Sequence, residues 1–348
     1  MTSVLLSPYK ISNTIELKNR IIMAPMTRRK AHHDHTPNGI MIDYYAKRSY
    51  AGMIITEGTI ITQDAIGFGN VPGIFTDKHI EIWQKITDAV HKNNGIIFLQ
   101  LWHCGRISHP IFHNGKPPIS ASETNANVPL GSSGYTSSIS RAASTSEIQS
   151  LINDYATAAE NAMKADFDGV EIHGANGYLV DQFLHYCTNQ REDEYGETPE
   201  NMARFCLEVI SACGKIIGFN RVGLRLSPGG HMSGIVTDYK DQFIYQHLLN
   251  ELNKIPIAYV HTGIFDDSTV FSELGGLTAT SFLRKYYSNT LIASGGYDFT
   301  SAESSIKQGL FDLVAMGRPF IANLDLLEKL KTNQVLRQYD QNMLNTLE

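Results

Sequence analysis

This chain is short of cysteine, of charge and of long apolar runs, and each shortage removes a class of protein. Its four cysteines, Cys104, Cys187, Cys206 and Cys213, lie far apart and form no CxxC pair. That suits free thiols in a reducing compartment, not a disulfide frame, a zinc site or an iron–sulfur centre. Charged residues make up 18% of the 348 residues and the net charge is −6, spread along the chain. There is no basic stripe to hold nucleic acid, and the composition is not that of a disordered chain. No apolar run reaches membrane-span length, and Met1 to Lys10 lacks a basic segment leading into an apolar one. A cytoplasmic protein with neither a membrane nor a nucleic-acid partner is expected. No GxGxxG enters the first helix, which argues against a doubly wound dinucleotide-binding sheet.

What is present is a repeated alternation. Eight strand-like runs occur at Ile21–Met26, Gly52–Glu57, Ile96–Leu101, Gly169–His173, Val222–Leu226, Ala258–Thr262, Leu291–Ser294 and Leu313–Met316. Amphipathic segments separate them, such as Lys78–Lys92 with Ile82, Ile86 and Val90, and Thr145–Lys164 with Leu151, Tyr155 and Ala158, where Thr145 to Ile148 reads as the cap. Eight such units predict an α/β fold, a (β/α)8 TIM barrel forming one domain over residues 1–348. The Ser-, Gly- and Pro-rich stretch 104–144 after the third strand reads as a lid or binding loop. Residues 321–348 read as a short helical tail.

In a barrel the chemistry collects where strands end. The densest candidate is Gly169 to Leu184, where Val170 and Ile172 share one face of a strand and Glu171 and His173 the other. His173 and Asn176 lie three apart, so a helical turn would aim both at one point, with Tyr178 following. Two neutral hydrogen-bond donors and a phenol can bind a carbonyl oxygen and supply a proton. Gln100 and Arg225 sit between aliphatic neighbours (Leu99, Leu101; Leu224, Leu226), so alternation turns both inward. A carboxamide with a guanidinium suits the imide edge of a planar heterocycle. Gly295-Gly296 and Gly317-Arg318 end the last two strands and suit a phosphate. Thr27 reads equally as a cap or as a hydroxyl reaching the same heterocycle. His103, His231, His261 and Glu171 leave open a metal-dependent hydrolase, though no HxH marks the first strand.

The motifs Asn19-Arg20-Ile21-Ile22-Met23-Ala24-Pro25-Met26-Thr27-Arg28, Leu99-Gln100-Leu101-Trp102-His103, His173-Gly174-Ala175-Asn176-Gly177-Tyr178, Arg225-Leu226-Ser227-Pro228, Ser294-Gly295-Gly296 and Met316-Gly317-Arg318-Pro319-Phe320 occur in order. With them the chain resembles the old yellow enzyme family of FMN-dependent ene-reductases, in its pentaerythritol tetranitrate reductase-like branch. The resemblance implies FMN against Ala24, Pro25, Met26 and Gly58, with Thr27 on the flavin C4 carbonyl. It implies Gln100 and Arg225 on the pyrimidine edge, and Gly295, Gly296, Gly317 and Arg318 at the phosphate. Trp102 and Phe68 would line the pocket. His173 and Asn176 would hold the substrate oxygen, and Tyr178 would protonate the α-carbon. The reductant would be NADPH or NADH, the oxidant a small enone or nitroalkene, and the assembly a monomer or homodimer. Alternatives are a related reductase of nitrate esters, nitro compounds or quinones, and a catalytically idle FMN store. Glu197 and Met202 stand where relatives often carry a glycine and an arginine, and the tail lacks the relatives' Tyr-Gly-Gly pattern.

Overall fold

Strand alternation sorts the side chains into two cores. In the computed structural model, which describes residues 3–348, the barrel strands are β1 (Ile21–Met23), β2 (Met53–Ile55), β3 (Ile97–Trp102), β4 (Gly169–Gly174), β5 (Val222–Leu226), β6 (Tyr259–Thr262), β7 (Leu291–Ala293) and β8 (Leu313–Met316). Each pairs in parallel with its sequence neighbour; β8 pairs β1 and β2 pairs β3, closing the ring. This is a single-domain (β/α)8 barrel. Ile22, Met53, Ile55, Phe98, Tyr259, Ile292 and Leu313 form an interior cluster with Ile11, Ile15 and Leu17. The last three belong to an N-terminal hairpin, Tyr9–Lys10 against Glu16–Leu17, that plugs the barrel floor. The alternate residues, Leu99, Leu101, Val170, Ile172, Leu224 and Leu226 among them, pack outward under the helices. Each such buried aliphatic side chain stabilises the fold by about 1.5–3 kcal/mol.

The helices are α1 (Ile40–Ala46), α2 (Asp77–His91), α3 (Thr145–Lys164), α4 (Leu179–Gln182), α5 (Pro199–Ile217), α6 (Asp241–Leu252), α7 (Ala279–Tyr286), α8 (Phe299–Lys307), α9 (Arg318–Ala322) and α10 (Leu326–Lys331). None is long and apolar enough to cross a membrane. On α3 the cap is Ser144, not Thr145: its hydroxyl accepts from Glu147 N–H while the Glu147 carboxylate takes Ser144 N–H, a capping box. Strand β1 stops at Met23, three residues short of expectation, because Pro25 cannot donate to a ladder.

The tail departs most from expectation. Beyond α10 it is irregular, with one 3-10 turn at Gln341–Asn345. Side chains hold it in place of its own periodicity. Buried Arg28 donates to Met343 O at 3.0 Å and Thr346 O at 2.6 Å. Buried Arg48 donates to Phe320 O at 3.0 Å and Glu348 O at 2.6 Å. Asn323 takes Arg337 N–H at 2.8 Å and donates to Arg337 O at 3.1 Å.

Candidate functional site

A cavity of about 670 Å³ opens over the C-terminal ends of the strands. Its lining includes Ala24, Pro25, Met26, Thr27, Gln100, Trp102, His173, Asn176, Tyr178, Arg225, Gly295, Gly296, Gly317 and Arg318. A side cavity of about 230 Å³ leads off past Asn176, Met232, Ile264 and Phe265.

His173 and Asn176 reach the cavity by a route other than a helical turn. His173 points inward from β4. The chain then passes through two left-handed residues, Asn176 at φ 60° and Gly177 at φ 80°, before α4. A Cβ on Gly177 would lie 2.7 Å from the Ser233 Cβ, so only glycine fits. Ser227 Oγ accepts Asn176 N–H at 2.8 Å, and Asp181 accepts Gly177 N–H at 2.8 Å. Asp181 also accepts from Tyr245 OH at 3.0 Å and pairs with His185 at 3.3 Å, while His185 meets Asp241 at 2.8 Å. Burial opposes charge on His185, but Asp181 and Asp241 prevail and lift its pKa to about 10. The turn is thus seated on a buried imidazolium between two carboxylates.

The rings above the turn pack closely. Tyr178 stands edge-on to Trp102 with centroids 4.9 Å apart, and 4.9 Å from the His173 ring. Burial raises the Tyr178 pKa beyond the ordinary phenol range, so the hydroxyl keeps its proton. Burial, with Arg225 and His261 adding to it, lowers the His173 pKa well below the ordinary value, so this imidazole is neutral. Its Nδ1 is buried without a partner among the described residues.

One level down, the barrel interior is polar. Glu171 Oε1 accepts from Gln100 Nε2 at 2.8 Å and Oε2 from His261 Nδ1 at 2.8 Å. Arg225 follows on β5, its Nε buried and without a partner among the described residues. Beyond β1, the Glu57 carboxylate accepts Arg28 N–H at 3.0 Å and Arg29 N–H at 3.2 Å, which fixes the path of Thr27. Burial pushes the Glu57 pKa up to about 7 against those two bonds.

At the far end Gly295 and Gly296 adopt φ 122° and 88°. A Cβ on Gly296 would meet nothing nearer than Phe265 O at 4.0 Å, so bare backbone faces open space beside Gly317 and exposed Arg318.

Several sequence expectations need correction. Gly58 and Phe68 do not line the cavity; both support Trp102. Phe68 stacks on the indole at 5.5 Å, and a Cβ on Gly58 would lie 2.6 Å from it. No described residue of 104–144 lines the cavity either. That loop braces the turn from behind: Arg106 donates to Gly234 O at 2.8 Å, and Ser120 Oγ to Gln182 at 2.9 Å. The roof comes instead from the tail, with Leu336, Arg337, Gln338, Tyr339 and Leu344, none of which the sequence reading singled out. His103 turns away from the cavity, its Nδ1 accepting from Gly105 N–H at 3.0 Å. The described residues hold no cluster of metal-ligating side chains.

This geometry, a barrel mouth with a carboxamide and a guanidinium suited to a planar heterocycle at one end and a bare glycine cradle at the other, fits a flavin-dependent oxidoreductase barrel. Residues 4–337 match the family described as NADH:flavin oxidoreductase / NADH oxidase. The chain is 38% identical to putative 12-oxophytodienoate reductase 2 of Oryza sativa subsp. japonica, with 98% of this chain and 90% of the relative covered. Its fold matches morphinone reductase in complex with tetrahydroNAD at a TM-score of 0.90 and 36% identity, over 99% of this chain and 94% of that one. It matches the old yellow enzyme from Trypanosoma cruzi at 0.91 and 33%, over 99% and 96%. The chain belongs to this FMN-dependent oxidoreductase family, the old yellow enzyme family.

Proposed function

We propose that the protein reduces the activated C=C bond of small α,β-unsaturated carbonyl compounds with NADPH or NADH. The observation that carries this is the meeting of His173, Asn176 and a protonated Tyr178 in the cavity that also holds Gln100, Arg225 and the glycine cradle.

The residues present fit FMN. Arg225 Nε and His173 Nδ1 are buried polar atoms without partners among the described residues, and Gly296 leaves room that a Cβ would narrow. Gln100 and Arg225 would hold the pyrimidine edge, Thr27 the C4 carbonyl, and Gly295, Gly296, Gly317 and Arg318 the phosphate. Ala24, Pro25 and Met26 would lie against the ring. Bound FMN supplies the hydride chemistry, accepting from the nicotinamide and donating to the β-carbon of the substrate. Neutral His173 and the Asn176 amide would donate to the substrate oxygen, strengthening as enolate charge develops. Tyr178 OH is the proton source for the α-carbon, kept protonated by burial. Trp102, backed by Phe68, closes the side of the pocket next to Tyr178.

The two half-reactions of Tyr178→Phe test the assignment. Reduction by NADPH should proceed at the wild-type rate, while reoxidation by an enone slows by roughly a hundredfold or more. Equal slowing of both would remove Tyr178 from the proton-donor role.

A further inference from the structure

The barrel interior contains a charge that the reading above does not use. Glu171 is fully buried and faces inward from β4, in register with Gln100 on β3. A carboxylate can only accept, so the amide of Gln100 must present Nε2 to it, at 2.8 Å. The Gln100 carbonyl oxygen is thereby left for the cavity. His261, also fully buried, donates from Nδ1 to the other carboxylate oxygen at 2.8 Å. Arg225 is paired in register with both His173 and His261, and its buried guanidinium Nε has no partner among the described residues. Glu171 is the anion that offsets its charge. Burial pushes the Glu171 pKa up, but His261, Arg225 and Gln100 outweigh it and keep the carboxyl ionised.

Resting on the FMN reading of the cavity, we propose that Glu171 is a positioning residue for the flavin pyrimidine edge. Its carboxylate locks the amide of Gln100 with the oxygen outward, and its charge tempers the stabilisation Arg225 gives to a reduced, anionic ring. A fully buried charge is weakly screened, so Glu171 acts on the ring across the barrel. Reduced FMN carries the extra negative charge, so the two oxidation states feel Glu171 unequally.

The test is the midpoint potential of bound FMN in the holoprotein, with FMN retention on dialysis measured beside it. Glu171→Gln keeps the shape and removes the charge. Reduced FMN should then bind about tenfold tighter relative to oxidised FMN, a rise of ~30 mV for a two-electron couple. Glu171→Asp keeps the charge and shortens the reach to Gln100, so the potential should stay at the wild-type value while FMN is retained several-fold less well. An unchanged potential in Glu171→Gln with FMN bound would overturn the electrostatic role. Wild-type retention in Glu171→Asp would overturn the locking of Gln100, and this arm stands even if Glu171→Gln fails to fold. If the wild-type protein itself binds no FMN, the reading of the cavity fails, and the two failures are told apart at the first step.

Discussion

The loop 104–144 and the tail beyond α10 are both polar, largely irregular and without a long helix or strand of their own. The loop has the composition of a lid, yet none of its described residues lines the cavity. It is a brace, bonded through Arg106 and Ser120 to the backbone and side chains behind the His173–Tyr178 turn. The tail, expected as a short helix, is the roof. The difference lies in what anchors each segment. Short contacts to neighbouring strand-end turns draw the loop inward against the barrel. The tail is pinned by guanidinium groups of Arg28 and Arg48, which both lie by the Tyr44 ring, 5.1 and 4.0 Å from its centroid, and reach the tail's carbonyls.

Removing one segment's anchor and then the other's would sharpen that comparison. Truncating the tail before Leu336 should open the cavity and remove Met343 O and Thr346 O from Arg28 and Glu348 O from Arg48, each charge-assisted bond being worth about 1.5–3 kcal/mol. FMN should then be lost on dialysis at least tenfold faster, as flavin fluorescence in the dialysate reports. Arg106→Ala should cost about 2 kcal/mol through its two carbonyl contacts, lowering Tm by several degrees and leaving FMN release unchanged. A variant of the loop that releases FMN as fast as the truncated tail would erase the distinction between brace and roof.

The turn from His173 to Tyr178 also carries a pH signature. His185 has a folded pKa of about 10, above its ordinary value, so it binds its proton more tightly folded than unfolded. Its contribution to stability is complete below about pH 6.5 and erodes as the pH rises towards 10. Thermal melts should show Tm falling across that window, and the fall should flatten in His185→Gln. The smallest expected effect is at Glu197, which holds φ 67°, a conformation costly for a residue with a Cβ. Glu197→Gly should stabilise by roughly 0.5 kcal/mol once the entropy of glycine is subtracted, seen as a rise of about one degree in Tm.

These contrasts also show which parts of the molecule were legible in the sequence. The eight strands and their inward and outward faces follow from alternation, which is why Gln100, Glu171, His173 and Arg225 converge inside the barrel. The route from His173 to Tyr178 is not legible there, because left-handed backbone at Asn176 leaves no trace in hydrophobic spacing. Gly58 and Phe68 are absent from the cavity lining and pack on the Trp102 indole instead. The roof was invisible for a simpler reason. Two of its anchors, Arg28 and Arg48, lie some 300 residues away, with |i−j| of 315, 318 and 300, and they bond to backbone carbonyls, which every residue type possesses.

The most direct test of the central claim is an anaerobic titration of the purified protein, first with NADPH and then with cyclohexenone, followed by visible absorbance. The account predicts a flavin spectrum that bleaches with the nicotinamide and returns in full with the enone. A flavin that bleaches but returns only with oxygen or a quinone would contradict ene-reduction, and His173, Asn176 and Tyr178 would need another substrate.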